Sequence, residues 1–309
     1  MELPYRFQQS VRFYFKAEGE AWLQKLPSLI QNCEDKWTMK IKEPYSLSIN
    51  YVAPAVMEDR TKLVLKLCIP GDGFLDEVEA LKLLGEKGIV QLIDSDRDNG
   101  IIILEKLLPG HTLAEVKDDE DACRIAADVM KDLSVRAPAY TRIPTTKVRE
   151  EGLQKMIDQN PEGVGPISRA TLERALRIFT SLNQTIKKRL LLHGDFHHYN
   201  VLASGQGRWT AIDPKGLIGE MEYDLIQFML NKLPDQGVYG VIEKRVEIFV
   251  KELDLDKKRL LLWGYCHTVL ATSWTVEGET FDESFYQGIE IFEKLYIANF
   301  GPLKDTFIQ

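Results

Sequence analysis

The sequence predicts an α+β chain of two lobes: a β-rich first lobe with one inserted helix, then a mostly helical second lobe. Three observations carry this. Residues 37–107 hold short alternating or β-branched runs, helical periodicity takes over beyond Pro109-Gly110, and a strand-like island at 190–213 interrupts the helices. At 309 residues the chain has room for two lobes with a cleft between them, since single cores stop growing at about 250–300 residues. The expected division is 1–105, with N-terminal helices and five strands, and 106–309.

Residues 7–34 place Phe7, Val11, Tyr14, Phe15, Trp22, Leu23, Leu26, Leu29 and Ile30 at helical spacing, interrupted by Gly19 and Pro27, so one broken helix or two short ones are expected. From 37 to 69, WTMKI, YSLSINYVAPAV and KLVLKLCI read as an antiparallel meander of three strands. Phe74, Leu75, Val78, Leu81 and Leu84 share one helical stripe that Gly85 and Gly88 close. Two more strands follow, IVQLI at 89–93 and IIILEKL at 101–107, joined through DSDRDNG. Amphipathic helices are expected near 119–136, 149–159, 166–189, 223–231, 237–252, 257–277 and 282–298.

Apolar residues at 44% and charged residues at 28% exclude disordered, collagen-like and coiled-coil classes. A net charge of −8 argues against nucleic acid, whose phosphates need a surplus of Lys and Arg, and favours a cationic partner. Cys33, Cys68, Cys123 and Cys266 form no C-x-x-C pair and read as buried small hydrophobes. MELPYRFQQS lacks a basic start with an apolar run, and no stretch suits a bilayer span, so a cytoplasmic chain without a membrane partner is expected.

The island carries the sharpest signal, His193-Gly194-Asp195-Phe196-His197-His198-Tyr199-Asn200 followed by Ile212-Asp213-Pro214. Asp195 and Asn200 have the D-x-x-x-x-N spacing of a kinase catalytic loop, and Asp213 stands after a short hairpin, where a kinase puts its metal-binding Asp. Magnesium takes one or two carboxylate oxygens beside water and phosphates, which Asp213 and the amide oxygen of Asn200 satisfy. Asp195 is then free to accept the proton of an attacking hydroxyl. His193, His197 and His198 suggest a zinc hydrolase instead, but H-E-x-x-H and C-x-x-C spacings are missing, and His193 reads as packing beneath the site.

Lys66, between Leu65 and Leu67 of the third strand, has the V-A-I-K-like context from which an ammonium reaches nucleotide phosphates. The following helix offers Glu77 first and Glu79 second to orient it. Neither G-x-G-x-x-G nor the Walker pattern occurs, so the turn carrying Ser46 and Ser48 is the substitute cover for phosphates. Backbone groups of Glu105 and Leu107 are the expected adenine contacts.

These residues resemble the aminoglycoside and hydroxyurea phosphotransferases of the streptomycin 6-kinase type. The likeness runs from Ala21-Trp22-Leu23 through Asn50-Tyr51-Val52-Ala53-Pro54, Val64-Leu65-Lys66-Leu67 and Glu77-Val78-Glu79-Ala80-Leu81 to His193-Gly194-Asp195 and Ile212-Asp213-Pro214-Lys215-Gly216. It implies a protein-kinase-like fold, ATP with Mg2+, and phosphorylation of a hydroxyl on a streptomycin-like acceptor. Carried over by position, Asp195 is the base, Asn200 and Asp213 the metal ligands, Lys66 the phosphate lysine and Glu77 its partner. Asp224 would brace the catalytic loop through backbone N–H groups, or else cap the next helix. Candidate acceptor carboxylates are Glu220, Glu222, Asp235, Glu277 and Glu279. A housekeeping kinase of another small alcohol, amine or sugar would use the same residues. A non-catalytic pseudokinase would lack one of Asp195, Asn200, Asp213 or Lys66, and all are present.

Overall fold

The computed structural model describes residues 3–85 and 87–303. Residues 1–2 and 304–309, at the ends of the two expected lobes, lie outside them. By packing, the chain forms two units, one running to His111 with Ala203–Lys215 added, the other Thr112–Leu202 with the residues from Gly216 onward.

The first unit opens with helix α1 (Tyr5–Lys36) and continues through β1 (Met39–Ile41), β2 (Tyr51–Met57), β3 (Lys62–Leu67), α2 (Asp72–Leu84), β4 (Leu92–Asp96) and β5 (Ile101–Glu105). The break expected in α1 falls at Lys16, whose backbone leaves helical geometry (φ 49°, ψ −123°), while Pro27 sits inside a continuing helix. Gly19 is not the break. A Cβ there would lie 2.6 Å from the Val11 carbonyl oxygen, so only glycine lets the two helical segments approach.

The five strands form one antiparallel sheet in the order β1-β2-β3-β5-β4. Period-two alternation turns Tyr51, Ala53 and Ala55, then Leu63, Leu65 and Leu67, then Ile101 and Ile103 to one face. That face packs with Phe7, Val11, Trp22, Leu23, Leu26 and Cys33 of α1 in one core. Each large apolar side chain in it contributes about 1.5–3 kcal/mol of hydrophobic stabilisation on burial. Pro54 is tolerated inside β2 because its carbonyl accepts Lys42 N–H at 2.8 Å, so its donorless nitrogen faces the side where short β1 has ended. The fourth strand lies at 92–96, not 89–93. Val90 N–H instead donates to the Ala211 carbonyl at 2.8 Å, tying 88–90 to the hairpin of Val201–Gly205 and Arg208–Ala211.

The second unit contains α3 (Asp119–Leu133), α4 (Lys147–Gln159), α5 (Arg169–Gln184), short α6 (Met221–Asp224) and α7 (Ile226–Leu230), α8 (Val238–Leu253), α9 (Lys257–Thr275) and α10 (Glu283–Phe300). The single helix expected over 223–231 is therefore two, with Leu225 between them. Helix α9 is buried all round from Leu260 to Ser273 and is the axis of this unit. Gly264 allows α10 to close on it, since a Cβ there would meet the Phe292 ring at 2.4 Å. A small antiparallel sheet has Leu190–Leu192 in its centre, flanked by Val135–Arg136 and Leu217–Gly219. All three leucines are buried, and the chain leaving them enters the His193–Asn200 loop. The four cysteines are buried and free. Among the described residues no helix is long and apolar enough to cross a membrane.

Candidate active site

In the first unit β3 and α2 hold Lys66 and Glu77 side by side, and the segment after the hairpin adds Asp213. Lys66 Nζ donates to Glu77 Oε1 and Oε2 at 2.6 and 2.7 Å and to Asp213 Oδ1, while Lys215 Nζ donates to Asp213 Oδ2 at 2.8 Å. Glu77 supplies the partner, and its neighbour Glu79 does not. Lys66 is 5% exposed and Glu77 4%, so burial would drive the ammonium to lose its proton, but the two carboxylates outweigh it and hold its pKa above the ordinary lysine value. Burial likewise pushes the Asp213 carboxyl up, and Lys66 with Lys215 overcomes it, leaving the group well below the usual carboxylate range. Glu77 goes the other way, raised by burial against the pull of Lys66. Asp213 has φ +60°, an uncommon backbone for a residue other than glycine, and such strain collects at functional sites.

Ser46 and Ser48 stand exposed in the 42–50 connection between β1 and β2. The Glu105 N–H donates to the Gln91 carbonyl at 3.0 Å, and the Glu105 side chain accepts Gln91 N–H at 2.8 Å. The expected adenine contact therefore cannot use the Glu105 N–H.

In the second unit the Asp224 carboxylate accepts the backbone N–H groups of His193 and Gly194, both at 2.7 Å. It closes α6 from within, so it braces the loop and does not cap the following helix, whose first residue is Ile226. Burial pushes its carboxyl up to about 7 against the pull of those two N–H groups. Asn200 Nδ2 donates to the Asp195 carbonyl at 3.0 Å, which turns the amide oxygen away from that carbonyl. His197 Nε2 stands 3.7 Å from Asp195 Oδ1. His193 is buried edge-on to Phe196, and His198 is buried in a stack on Phe228 with ring centroids 3.8 Å apart, so neither is presented as a ligand. Burial lowers the His198 pKa to about 3, which keeps that ring neutral.

The acceptor candidates separate. Glu220 is buried and engaged, accepting from Arg259 at 2.7 Å and from Trp263 Nε1 at 3.0 Å. Register pairs Gly219 with Leu190 and Leu217 with Leu192, so Glu220 follows the strand end remote from His193. Glu222 accepts Asp256 N–H at 3.2 Å, and burial raises its carboxyl above the usual range. Both line a cavity of about 550 Å³ to which Asp235, Glu277 and Glu279 do not contribute. Those last three are exposed, Glu277 and Glu279 in the turn after α9.

Sequence reasoning did not assign a place to Lys215, whose contact with Asp213 was signalled only by opposite charges two residues apart across Pro214. It also missed the stacking of His198 on Phe228, which no local pattern announces.

The family described as aminoglycoside/hydroxyurea antibiotic resistance kinase matches residues 44–278. This chain belongs to that family. It is 29% identical over 301 residues to streptomycin 6-kinase of Streptomyces glaucescens, covering 90% of this chain and 92% of that one. To hydroxyurea phosphotransferase of Kitasatospora aureofaciens it is 28% identical over 284 residues, covering 90% and 81%. Among solved structures, the choline kinase of Streptococcus pneumoniae superposes with a TM-score of 0.63 at 17% identity, covering 88% of this chain and 99% of that one. The fold is thus the α+β, protein-kinase-like one, and the chain is a phosphotransferase with a hydroxyl acceptor.

Proposed function

We propose that this kinase transfers the γ-phosphoryl group of ATP, taken up with Mg2+, to a hydroxyl of a small cationic acceptor of the streptomycin type, with Asp195 as base. The observation that carries this is the ion group of buried Lys66 and Glu77 with half-buried Asp213, assembled from a strand, a helix and the segment after the hairpin. Ammonium and carboxylates are expensive to desolvate, and a fold keeps them buried together where a charged ligand needs them. Lys66 serves the nucleotide phosphates and Glu77 holds it in place. Leu107 and the connection bearing Ser46 and Ser48 are the groups proposed for adenine and phosphate cover, together with the Glu105 backbone apart from its engaged N–H.

Asp213 and Asn200 suit magnesium because a carboxylate and an amide oxygen are hard donors. Among the described residues no three His, Cys, Asp or Glu side chains gather to hold a metal, so the cation would draw most of its shell from water and phosphate. When bound, Mg2+ neutralises charge on the transferring phosphate. Asp195 accepts the proton of the attacking hydroxyl and aims its oxygen, while Asp224 keeps the loop backbone that carries Asp195 in place. The names of the relatives support an aminoglycoside acceptor, as does the net charge of −8. Asp235, Glu277 and Glu279 are the exposed carboxylates proposed to meet its cations.

A coupled ADP-release screen over streptomycin, neutral sugars, choline and short hydroxylated peptides tests the reading. Streptomycin-dependent ADP release is expected. Release with neutral sugars alone removes the aminoglycoside, and release with no acceptor removes the proposed transfer.

A further inference from the structure

We infer that Lys215 is a resident counter-ion on Asp213 which an incoming divalent cation displaces, and that the released ammonium then binds charge on the transferring phosphate. This rests on Asp213 being a metal ligand, as proposed above. Each Asp213 oxygen already carries an ammonium, Oδ1 that of Lys66 and Oδ2 that of Lys215. A metal needs one of those oxygens, and two cations cannot share it at contact distance without strong repulsion.

The two lysines differ in freedom. Lys66 has a side chain 6% exposed and clamped by both Glu77 oxygens, so its withdrawal would strand an ammonium in the core. The Lys215 side chain is 43% exposed, and among the described residues Asp213 is its one ion-pair partner. Its four-carbon stem can carry the ammonium into water at little cost. Lys215 is therefore the group that yields.

Its position also defines what it does next. Only Pro214, with a fixed φ, separates it from Asp213, so the displaced ammonium remains tethered beside the metal ligand. The anions that accompany the metal there are phosphate oxygens, for which lysine is a point-charge partner. Before metal arrives, Lys215 occupies Asp213 Oδ2 with a positive charge of its own. Afterwards it adds a positive charge where negative charge moves during transfer. No bond to Lys215 forms or breaks, and it acts as a positioning and charge-binding residue.

The test uses the full chain and Mn2+ alone, followed through the electron paramagnetic resonance of the free ion without nucleotide. Lys215→Gln should bind Mn2+ roughly fivefold more tightly than the parent, the factor expected for removing one partly exposed competing ion pair. Lys215→Arg, which keeps the charge, should stay near the parent. In the ADP-release assay Lys215→Gln should lose roughly 10²-fold in kcat, the lower end of what one lost donor to developing negative charge costs. Asp213→Asn separates the two levels of the argument. If it binds Mn2+ as the parent does, Asp213 is not the metal ligand and the proposed function is what fails. If it loses Mn2+ while Lys215→Gln binds Mn2+ no more tightly than the parent, displacement is overturned. Tighter Mn2+ with an unchanged kcat overturns the phosphate role.

Discussion

Glu77→Gln isolates what holds Lys66, the lysine proposed to meet the nucleotide phosphates. The substitution keeps shape and one acceptor oxygen but removes the charge that meets Lys66 Nζ at 2.6 and 2.7 Å, with both residues about 95% buried. Breaking a buried pair by removing one partner costs about 3–5 kcal/mol, because the other charge is left uncompensated. Asp213 still touches the same ammonium, so the lower end, about 3 kcal/mol, is expected. For a chain of this size that corresponds to a melting point lower by about 6 °C, at about 2 °C per kcal/mol. Nucleotide affinity should fall too, since an ammonium without its partner settles onto Asp213. The informative control is Lys66→Met with Glu77→Leu. It removes both buried charges at similar volume and should melt near the parent or above it, yet bind nucleotide as poorly as Lys66→Met alone. Melting curves by circular dichroism and titration with a non-hydrolysable ATP analogue read the two quantities separately. The reasoning fails if Glu77→Gln melts and binds nucleotide like the parent, or if the double variant is less stable than either single one.

What the sequence disclosed and what it concealed divide along physical lines. Period-two runs at 51–57 and 62–67 were readable because one face of that sheet packs on α1 and the alternation traces burial, and 101–105 was readable as a continuous apolar run buried on both faces. Helices α8, α9 and α10 were readable through their length and spacing. The strand at 92–96 was not, because LIDSD is short and polar and is held by β5 through a bulge, whereas the apolar IVQLI looked more strand-like. Within the candidate site, the meeting of Lys66, Glu77 and Asp213 could be anticipated because their residue type, order and spacing match a kinase's strand lysine, helix glutamate and late Asp. The acceptor carboxylates could not. Glu220 looks like any acidic residue after a strand, and only the fold reveals that Arg259 and Trp263, 39 and 43 residues later, hold it. Loop charges answer to ligand shape, for which there is no local period to read.

Asp195→Asn should leave nucleotide affinity near the parent while turnover drops roughly 10²–10⁴-fold, read by titration and ADP release; parental turnover would remove it as base. Glu220→Ala should cost about 3 kcal/mol of stability, read as a lower melting point, since it leaves the Arg259 pair broken, and should leave acceptor KM unchanged; a selective rise in acceptor KM would return Glu220 to the acceptor site. Finally, stability and turnover should respond to pH in opposite senses through Asp224. In the unfolded chain this carboxyl titrates at 3.8, whereas burial in the folded chain raises it to about 7. Between those values the folded state keeps a proton that the unfolded state has released, so unfolding is favoured as pH rises from about 4 through 7. At about 1.4 kcal/mol for each pH unit of that interval, this one group removes about 4 kcal/mol. The ionised carboxylate, however, is the form that accepts both His193 and Gly194 N–H groups, so the His193–Asn200 loop is best braced above that range. Asp224→Asn cannot titrate and offers one acceptor oxygen to two donors. Its urea midpoint should therefore change less than the parent's between about pH 5 and pH 8, and its kcat should be low and without the rise through neutrality that Asp224 adds. Stability curves that run parallel for parent and variant across that interval would show that Asp224 is already ionised throughout, and that the brace is insensitive to pH.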